Sequence, residues 1–279
     1  MKCFDCPRRC GVDRSKAKGF CNEGEKIRVA KVIENFAWEE PCISGEKGAL
    51  AIFFSGCNLR CSFCQNYEIS HVGKGEEFSP DEFREFLLSF DLEKFSSIDL
   101  ITPTHFSSAL IAALDGCRLP LPVVWNSSGY EAPAMIERLD KIVDVFLPDF
   151  KYYSDQNGQA FSKAGDYFAV ASEAVKKMRQ LRPVDKFENG LLVRGLLIRH
   201  LLLPGQVRDS MAVLDFIAQN LKGSMVSLMS QFTPQKFGPH RKVLPLEYKA
   251  LLAHAEKLGL DSGYFQDISA ADENFVPEF

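Results

Sequence analysis

The sequence predicts an α/β fold, a partial (β/α)6 barrel of the TIM type that carries a small cysteine-rich extension at its N-terminus. From residue 49 onward, short apolar runs alternate with amphipathic segments of helical period. The apolar runs are rich in Val, Ile, Leu and Phe with little polar alternation, which is typical of parallel strands covered on both faces. A length of 279 residues is normal for a single α/β barrel.

Six strand–helix units follow one another along the chain. The helix at 79–90 has the clearest signals, with Ser79 as N-cap, Pro80 at the first position and Glu82 closing a capping box. Alternating strands and helices imply parallel pairing through right-handed crossovers, and six units are too few to close a barrel. A doubly wound open sheet is the alternative. The strands are predicted at 49–55, 97–102, 122–126, 142–149, 191–203 and 225–232, and the other helices at 106–114, 131–140, 160–182, 208–221 and 245–258.

Two segments differ from this pattern. Residues 152–167 are the most loop-like part of the barrel. The first 45 residues hold turn residues, four closely spaced cysteines and one candidate strand at 26–36. About forty residues bury too little core to fold alone. We therefore divide the chain into a metal-binding extension, residues 1–45, and a barrel, residues 46–279.

Composition narrows the functional classes. Hydrophobic residues make up 46% of the chain and charged residues 25%, the proportions of a soluble globular protein. The net charge of −4 gives no general attraction to nucleic acid or to an acidic membrane. No apolar run reaches the roughly 18 residues of a membrane span, and the first ten residues lack the apolar core of a signal peptide. We expect a cytoplasmic protein with no nucleic-acid or membrane partner.

Nine cysteines in such a chain indicate metal ligation, because reducing compartments disfavour disulfides. Cys57, Cys61 and Cys64 lie in SGCNLRCSFCQN with the spacing C-x3-C-x2-C. This loop follows the first predicted strand, at the end of the strand where barrel active sites lie. Zinc and electron-transfer clusters usually take four protein ligands, so one position is left open. A zinc site completed by Cys42 or by another residue is the alternative.

The loop, with Phe63 before its last cysteine, resembles the radical S-adenosylmethionine (SAM) superfamily. In that family three cysteines hold a [4Fe–4S] cluster, and SAM chelates the open iron. Reductive cleavage then yields methionine and a 5′-deoxyadenosyl radical that abstracts a hydrogen atom. The resemblance implies that Cys57, Cys61 and Cys64 are the cluster ligands and that a reductant such as flavodoxin or ferredoxin is a partner.

Within the superfamily, residues 39–66 resemble the pyruvate formate-lyase activating enzymes. The N-terminal CPRRCGV and GFC elements resemble one subgroup of these enzymes. The resemblance implies an oxidoreductase that generates a radical on a glycine of a partner glycyl-radical enzyme. The alternatives are radical modification of another protein or a small metabolite, and a non-catalytic zinc or iron–sulfur scaffold or electron carrier.

Cofactor-binding residues are expected at the ends of the strands. The acidic GGE-like motif that the family carries after strand two is replaced here by ITPTHF, so Thr102 and Thr104 are the candidate acceptors for the cofactor's amino group. His105 either contacts a ligand or caps the next helix. Asn126 and Ser127 end strand three and suit hydrogen bonding to the cofactor, with a polar turn as the alternative.

Candidates lie at the ends of the three remaining strands, and two of these strand ends match a family motif. Asp149 and Lys151 resemble a D-x-K motif, in which the acid helps to bind a monovalent cation near the cofactor carboxylate and the lysine contacts the cofactor; a structural ion pair is the alternative. Arg199, followed by Pro204 and Gly205, matches a pattern that places the arginine on the cofactor carboxylate. Gln231 would reach the ribose or adenine.

The four N-terminal cysteines form a second candidate metal site. Cys3, Cys6, Cys10 and Cys21 have the spacing C-x2-C-x3-C-x10-C, a complete ligand set for zinc or for a second [4Fe–4S] cluster. Ligand softness does not choose between the two. Both alternatives stay open at this point.

Overall fold

The structure is a computed structural model that describes residues 2–235 and 237–267. Its centre is a mostly parallel sheet in the order β10-β9-β8-β6-β5-β4-β2-β1-β3, with β7 paired to β8. The strands are β1 Ile27–Phe36, β2 Ala49–Phe54, β3 Glu76–Phe78, β4 Ser97–Ile101, β5 Val123–Ser127, β6 Val145–Pro148, β7 Lys186–Glu188, β8 Leu191–Leu201, β9 Met225–Met229 and β10 Gly263–Phe265.

Helices connect the parallel strands. They are α1 Pro41–Ser44, α2 Pro80–Leu88, α3 Ser107–Leu114, α4 Pro133–Leu139, α5 Asp155–Ser162, α6 Tyr167–Leu181, α7 Val207–Asn220 and α8 Pro245–Lys257. Each of the six predicted strands is present, and β2, β4, β5, β6, β8 and β9 pair in parallel. Within the described residues the sheet runs from β10 to β3 without closing, so the partial barrel is confirmed.

Three strands with antiparallel pairing, β1, β3 and β7, and one extra parallel strand complete the sheet. The candidate strand at 26–36 is present as β1, which pairs antiparallel with β2 and with β3. β10 adds a seventh parallel strand beside β9, which the sequence analysis did not predict because it is only three residues long. Since β1 belongs to the extension, the sheet joins both proposed parts of the chain.

Strand β2 shows how the sheet separates two cores. Leu50, Ile52 and Phe54 point towards the helices and are almost completely buried in the main core. The alternate residues Ala51 and Phe53 face the other side of the sheet, because successive side chains of a strand point to opposite faces. There Phe53 lines the cavity described below.

The prediction of a loop at 152–167 is wrong, because α5 forms inside it. The Ser154 side chain accepts a hydrogen bond from the Asn157 backbone N–H and caps the helix. A β-carbon at Gly158 would overlap the carbonyl oxygen of Ala164, so this glycine permits close packing inside a helix. The helix ends at Lys163, which has a left-handed conformation, and α6 follows as a separate helix.

Among the described residues, the helices are too short or too polar for any of them to cross a lipid bilayer.

Candidate functional site

A cavity of about 460 Å³ opens at the carboxyl ends of the parallel strands. Its lining brings together residues that are far apart in the sequence, as parallel strands require. Thr104 is the predicted cofactor-binding residue that does not reach it. The other predicted residues of this site that line the cavity are Cys57, Cys61, Phe63, Cys64, Thr102, Asn126, Ser127, Asp149, Lys151, Arg199 and Gln231.

The three cysteines of the loop after β2 face this cavity, each with a polar neighbour. The Cys57 sulfur accepts a hydrogen bond from the Leu59 backbone N–H at 3.3 Å. The Cys61 sulfur lies 3.0 Å from the Ser162 hydroxyl, and the Cys64 sulfur lies 3.3 Å from the hydroxyl of Ser70. Such neighbours help to orient metal ligands.

Burial raises the pKa of all three thiols, that of Cys64 to about 11. The thiols are therefore protonated at neutral pH in the absence of metal. Thiolates are the form that binds metal, so ligation here would release protons.

The described lining of the cavity offers three thiol ligands. It contains Cys57, Cys61 and Cys64, no fourth cysteine and no histidine. Cys42 belongs to a separate apolar cluster with Val124, Val145 and Leu147 and is not among the residues that line the cavity.

The N-terminal extension supports the cysteine loop through Arg8. Its guanidinium donates to the Asn58 carbonyl at 2.8 Å and to the Lys163 carbonyl at 2.6 Å. It also lies over the rings of Phe20, at 4.0 Å, and Tyr130, at 5.1 Å. These contacts satisfy backbone carbonyls of the loop and of the helix end beside Cys61.

Gly56 allows the extension to touch the loop directly. This residue has a φ of +76°, and a β-carbon there would lie 2.5 Å from the Cys21 carbonyl oxygen and 2.6 Å from the side chain of Glu23. Only glycine fits both the backbone conformation and the close approach. The residue immediately before Cys57 is therefore in contact with Cys21.

Arg199, at the end of β8, is the centre of a buried charged network. Its guanidinium donates to Asp149 at 3.1 Å, to Glu39 at 2.7 Å and to the Asn126 side-chain oxygen at 2.5 Å. Lys151 donates to the second oxygen of Asp149 at 2.5 Å. The predicted alternative of an ion pair between Asp149 and Lys151 is thus present in the structure.

The pKa values of the acids in this network depend on burial and on their charged neighbours. Burial alone would raise the pKa of Asp149, but Lys151 and Arg199 outweigh it and hold that pKa below its usual range. Burial, together with the neighbouring Glu39, raises the pKa of Asp99 well above its usual range, and burial also raises the pKa of Glu39. The carboxyl groups of Asp149 and Glu39 both accept hydrogen bonds from the guanidinium of Arg199.

Glu39 is a functional candidate that no sequence motif marks. Its side chain is only 10% exposed and lines the cavity. It accepts hydrogen bonds from Arg199 and, at 3.1 Å, from the Asn126 amide. The signal that could have found it was Arg199, since a guanidinium in so apolar a strand needs a buried anion.

Thr104 and His105 lie behind the cavity. Thr104 donates to Glu131 at 2.6 Å, and the His105 ring nitrogen Nε2 lies 2.6 Å from the Ser55 carbonyl oxygen. By contrast, Thr102 lines the cavity with a φ of +61°, which is rare for a β-branched residue. Such strained conformations concentrate at functional sites.

Glu131 is a buried carboxyl group directly behind β5. One oxygen accepts hydrogen bonds from Thr104 and, at 3.1 Å, from the Trp125 indole N–H. The other oxygen has no hydrogen-bond partner in the described part of the chain. Burial raises the pKa of Glu131 to about 7.

The N-terminal cysteines lie outside the cavity. Cys6 and Cys21 are buried, Cys3 is half-buried and Cys10 is exposed. The sulfurs of Cys10 and Cys21 flank Gly19, at 3.2 and 3.5 Å from the position that a β-carbon on this glycine would take.

The comparison with family models decides the family. Residues 51–217 match the model described as the Radical SAM superfamily, which covers more than half of the chain. The chain belongs to the radical SAM superfamily. As a radical SAM protein, it is an enzyme that uses a [4Fe–4S] cluster and SAM and needs a reductant.

The chain is also similar to known proteins, in sequence to one and in fold to others. The chain is 29% identical over 283 residues to the uncharacterized protein MJ0674 of Methanocaldococcus jannaschii, covering 94% of this chain and 76% of that protein. A radical SAM methyltransferase from Sphaerobacter thermophilus superposes with a TM-score of 0.53 at 15% identity, covering 79% of this chain and 69% of that one.

Streptococcus suis SuiB, bound to its precursor peptide SuiA, superposes with a TM-score of 0.51 at 10% identity. The match covers 76% of this chain but only 46% of SuiB, so the radical SAM chain described here spans less than half the length of that protein. At such identities both structures show a shared fold alone.

The pKa of Glu131 predicts a pH-dependent stability. A carboxyl group whose pKa is higher in the folded than in the unfolded protein loses its stabilising effect as pH rises. We compare the free energies of unfolding of the metal-free wild type and of Glu131→Gln. The difference, wild type minus variant, should therefore fall by about 2 to 3 kcal/mol between pH 5 and pH 8.

Urea denaturation of both proteins at the two pH values measures this difference. Glu256→Gln, at an exposed position on α8, is the matched control and should follow the wild type. Parallel pH profiles for the wild type and Glu131→Gln would contradict the assignment.

Proposed function

We propose that Cys57, Cys61 and Cys64 hold a [4Fe–4S] cluster at which the enzyme binds SAM. The observation that carries this proposal is the three half-buried thiols that share one cavity at the strand ends, without a fourth cysteine or histidine in its described lining. When bound there, SAM supplies a 5′-deoxyadenosyl radical after reductive cleavage, and this radical abstracts a hydrogen atom from the substrate.

The polar residues of the cavity match the charges of SAM. The network around Arg199 supplies a guanidinium for the cofactor carboxylate, and Lys151 supplies a second cation. Arg199 already donates to three side chains, so a carboxylate ligand would exchange with one of them. Asn126, the uncharged partner, is the one that exchanges at least cost.

Glu39 takes the place of the acid that is missing after β4. Its carboxylate lines the cavity and is held by Arg199 and Asn126, so it can accept a hydrogen bond from the cofactor's ammonium group. Thr102 and Ser127 line the same wall and offer hydroxyl acceptors beside it. A monovalent cation at Asp149 would have to compete with Lys151 and Arg199, which occupy its two oxygens.

Apolar side chains close the opposite side of the cavity. The Phe63 ring packs 5.9 Å from Phe232, and both line the cavity together with Met229. Gln231 lies beside them and accepts a hydrogen bond from Gln266 at 3.0 Å, so its amide is positioned for the ribose or adenine. Such a wall excludes water from a reactive intermediate.

We propose a protein substrate, namely a glycine of a glycyl-radical enzyme. The resemblance of residues 39–66 to activating enzymes supports this proposal, as does an open cavity mouth beside the exposed side chains of Trp38 and Phe265. SuiB is a structural neighbour whose bound partner is a peptide. Deuterium should pass from the glycine of such a partner into 5′-deoxyadenosine. Transfer from a different protein or a small metabolite alone would contradict this choice of substrate.

The N-terminal extension, residues 1–45, is proposed to bind metal through Cys3, Cys6, Cys10 and Cys21, as zinc or as a second [4Fe–4S] cluster. The burial of Cys6 and Cys21 and the packing of Cys21 against Gly56 support a site that stabilises the cysteine loop. β1 connects this extension to the barrel sheet.

If Cys61 is a ligand of the cluster, Cys61→Ala should lose SAM cleavage. Because one iron loses its thiolate, formation of 5′-deoxyadenosine should fall to the level seen without enzyme. The assay uses protein reconstituted with iron and sulfide without oxygen and reduced with dithionite. Cys117→Ser, outside both cysteine groups, is the control and should retain the activity; retained cleavage in Cys61→Ala would overturn the assignment.

The two cations of the cavity are expected to contribute to SAM binding, so Lys151→Ala and Arg199→Ala should bind SAM more weakly. Loss of a charged hydrogen bond should weaken binding about 10- to 100-fold. Arg194→Ala is the matched control, since Arg194 lies on the same strand outside the cavity, paired with Asp140. His200→Ala should also have little effect, because His200 forms a hydrogen bond with the Phe150 carbonyl oxygen instead of lining the cavity. Calorimetric titration of reconstituted protein measures the affinity, and equal losses in all four variants would contradict the prediction.

A further inference from the structure

We propose that Cys3, Cys6, Cys10 and Cys21 hold an iron–sulfur cluster rather than zinc, and that Arg14 balances the negative charge of this cluster. The inference rests on the N-terminal metal site proposed above and names its metal and its charge partner. Three observations carry it: the spacing of the sulfurs, the unpartnered nitrogens of Arg14 and the contact between the extension and the cysteine loop.

The first observation concerns the spacing of the ligands. Cys10 and Cys21 lie on either side of Gly19, and Cys6 is buried. Within residues 2–235 and 237–267, no three metal-binding side chains approach one point closely enough to share a single ion, which a structural zinc site requires. In a [4Fe–4S] cluster each cysteine binds a different iron, so the four sulfurs stand further apart.

The second observation concerns Arg14, whose side chain is 9% exposed. One terminal nitrogen donates to the His105 carbonyl and lies 4.0 Å from the Cys3 sulfur. Its Nε and its other terminal nitrogen have no hydrogen-bond partner in the described part of the chain. Buried guanidinium donors without acceptors are costly, so an acceptor is expected beside them.

The neighbours of Arg14 leave these two nitrogens without an acceptor. Asp5 lies 3.9 Å from the terminal nitrogen that donates to His105, Glu23 is close enough to interact electrostatically with the guanidinium, and the Phe106 ring lies 5.2 Å from the guanidinium carbon. Four thiolates on a cluster would supply sulfur acceptors for the free N–H groups. Arg14 in turn stabilises the reduced cluster, which carries one more negative charge than the oxidised form.

The third observation places this site next to the first. The Cys21 carbonyl packs against Gly56, the residue before Cys57, and no helix or strand separates them. Two clusters held at these positions are neighbours, so their unpaired electrons should interact when both clusters are reduced.

Iron counting tests the proposal with the full chain. After reconstitution without oxygen, we expect about eight irons per wild-type chain and about four in the variant with Cys57, Cys61 and Cys64 all changed to Ala. The irons of that variant can only come from the N-terminal site. No iron in it, or one zinc per chain in the protein as isolated, overturns the proposal.

The converse variant separates this proposal from the proposed function. Changing Cys3, Cys6, Cys10 and Cys21 to Ser should leave about four irons, held by the loop that would bind SAM. Cys10→Ser alone removes the exposed ligand and is the second variant if the fourfold change prevents folding. It should alter the electron paramagnetic resonance signal of the N-terminal cluster without loss of the other signal; an unchanged signal would contradict ligation by Cys10.

Arg14 is tested by redox titration in the variant that lacks the three loop cysteines. Arg14→Gln should lower the midpoint potential of the remaining cluster, because the reduced form loses its counter-charge. Arg14→Lys should restore most of the potential, and Lys16→Gln, an exposed neighbouring charge, should leave it unchanged. An unaltered potential in Arg14→Gln, with iron still bound, rules out Arg14 as the charge partner.

Discussion

The guanidinium of Arg199 joins segments of the chain that are up to 160 residues apart. It binds Glu39 before β2, Asn126 at the end of β5 and Asp149 after β6. Removing one charged partner of such a group is strongly destabilising, because it leaves the other charge without compensation. The position of these strand ends, and the shape of the cavity between them, therefore depend on one side chain of β8.

The same constraint brings a carboxyl group to the cavity from outside the parallel strands. The segment between β1 and β2 carries Glu39, which lines the cavity and contacts Arg199 and Asn126. Under the role proposed for Glu39, the position of the carboxylate in the cavity matters more than the strand that supplies it. A search for an acidic motif after β4 would therefore not find this residue.

Much of the fold could be predicted, because apolar runs and helical periods are local features. Six strands and the helices between them followed from such patterns, whereas β10 is only three residues long and α5 lies in a stretch rich in polar residues and glycine. Within the site, cysteine spacing and strand ends placed most lining residues correctly. Thr104 was expected in the cavity but lies behind it, and Glu39 and Glu131 were not found, because the surroundings of these residues depend on partners from distant segments, which no local pattern records.

The two tryptophans of the chain differ in a way that can be used in experiments. Trp38 is 46% exposed at the cavity mouth, whereas Trp125 is fully buried behind β5. A collisional quencher such as iodide can reach the first indole and not the second. Intrinsic fluorescence of the metal-free protein therefore offers an optical signal for molecules that enter the mouth, without any added label.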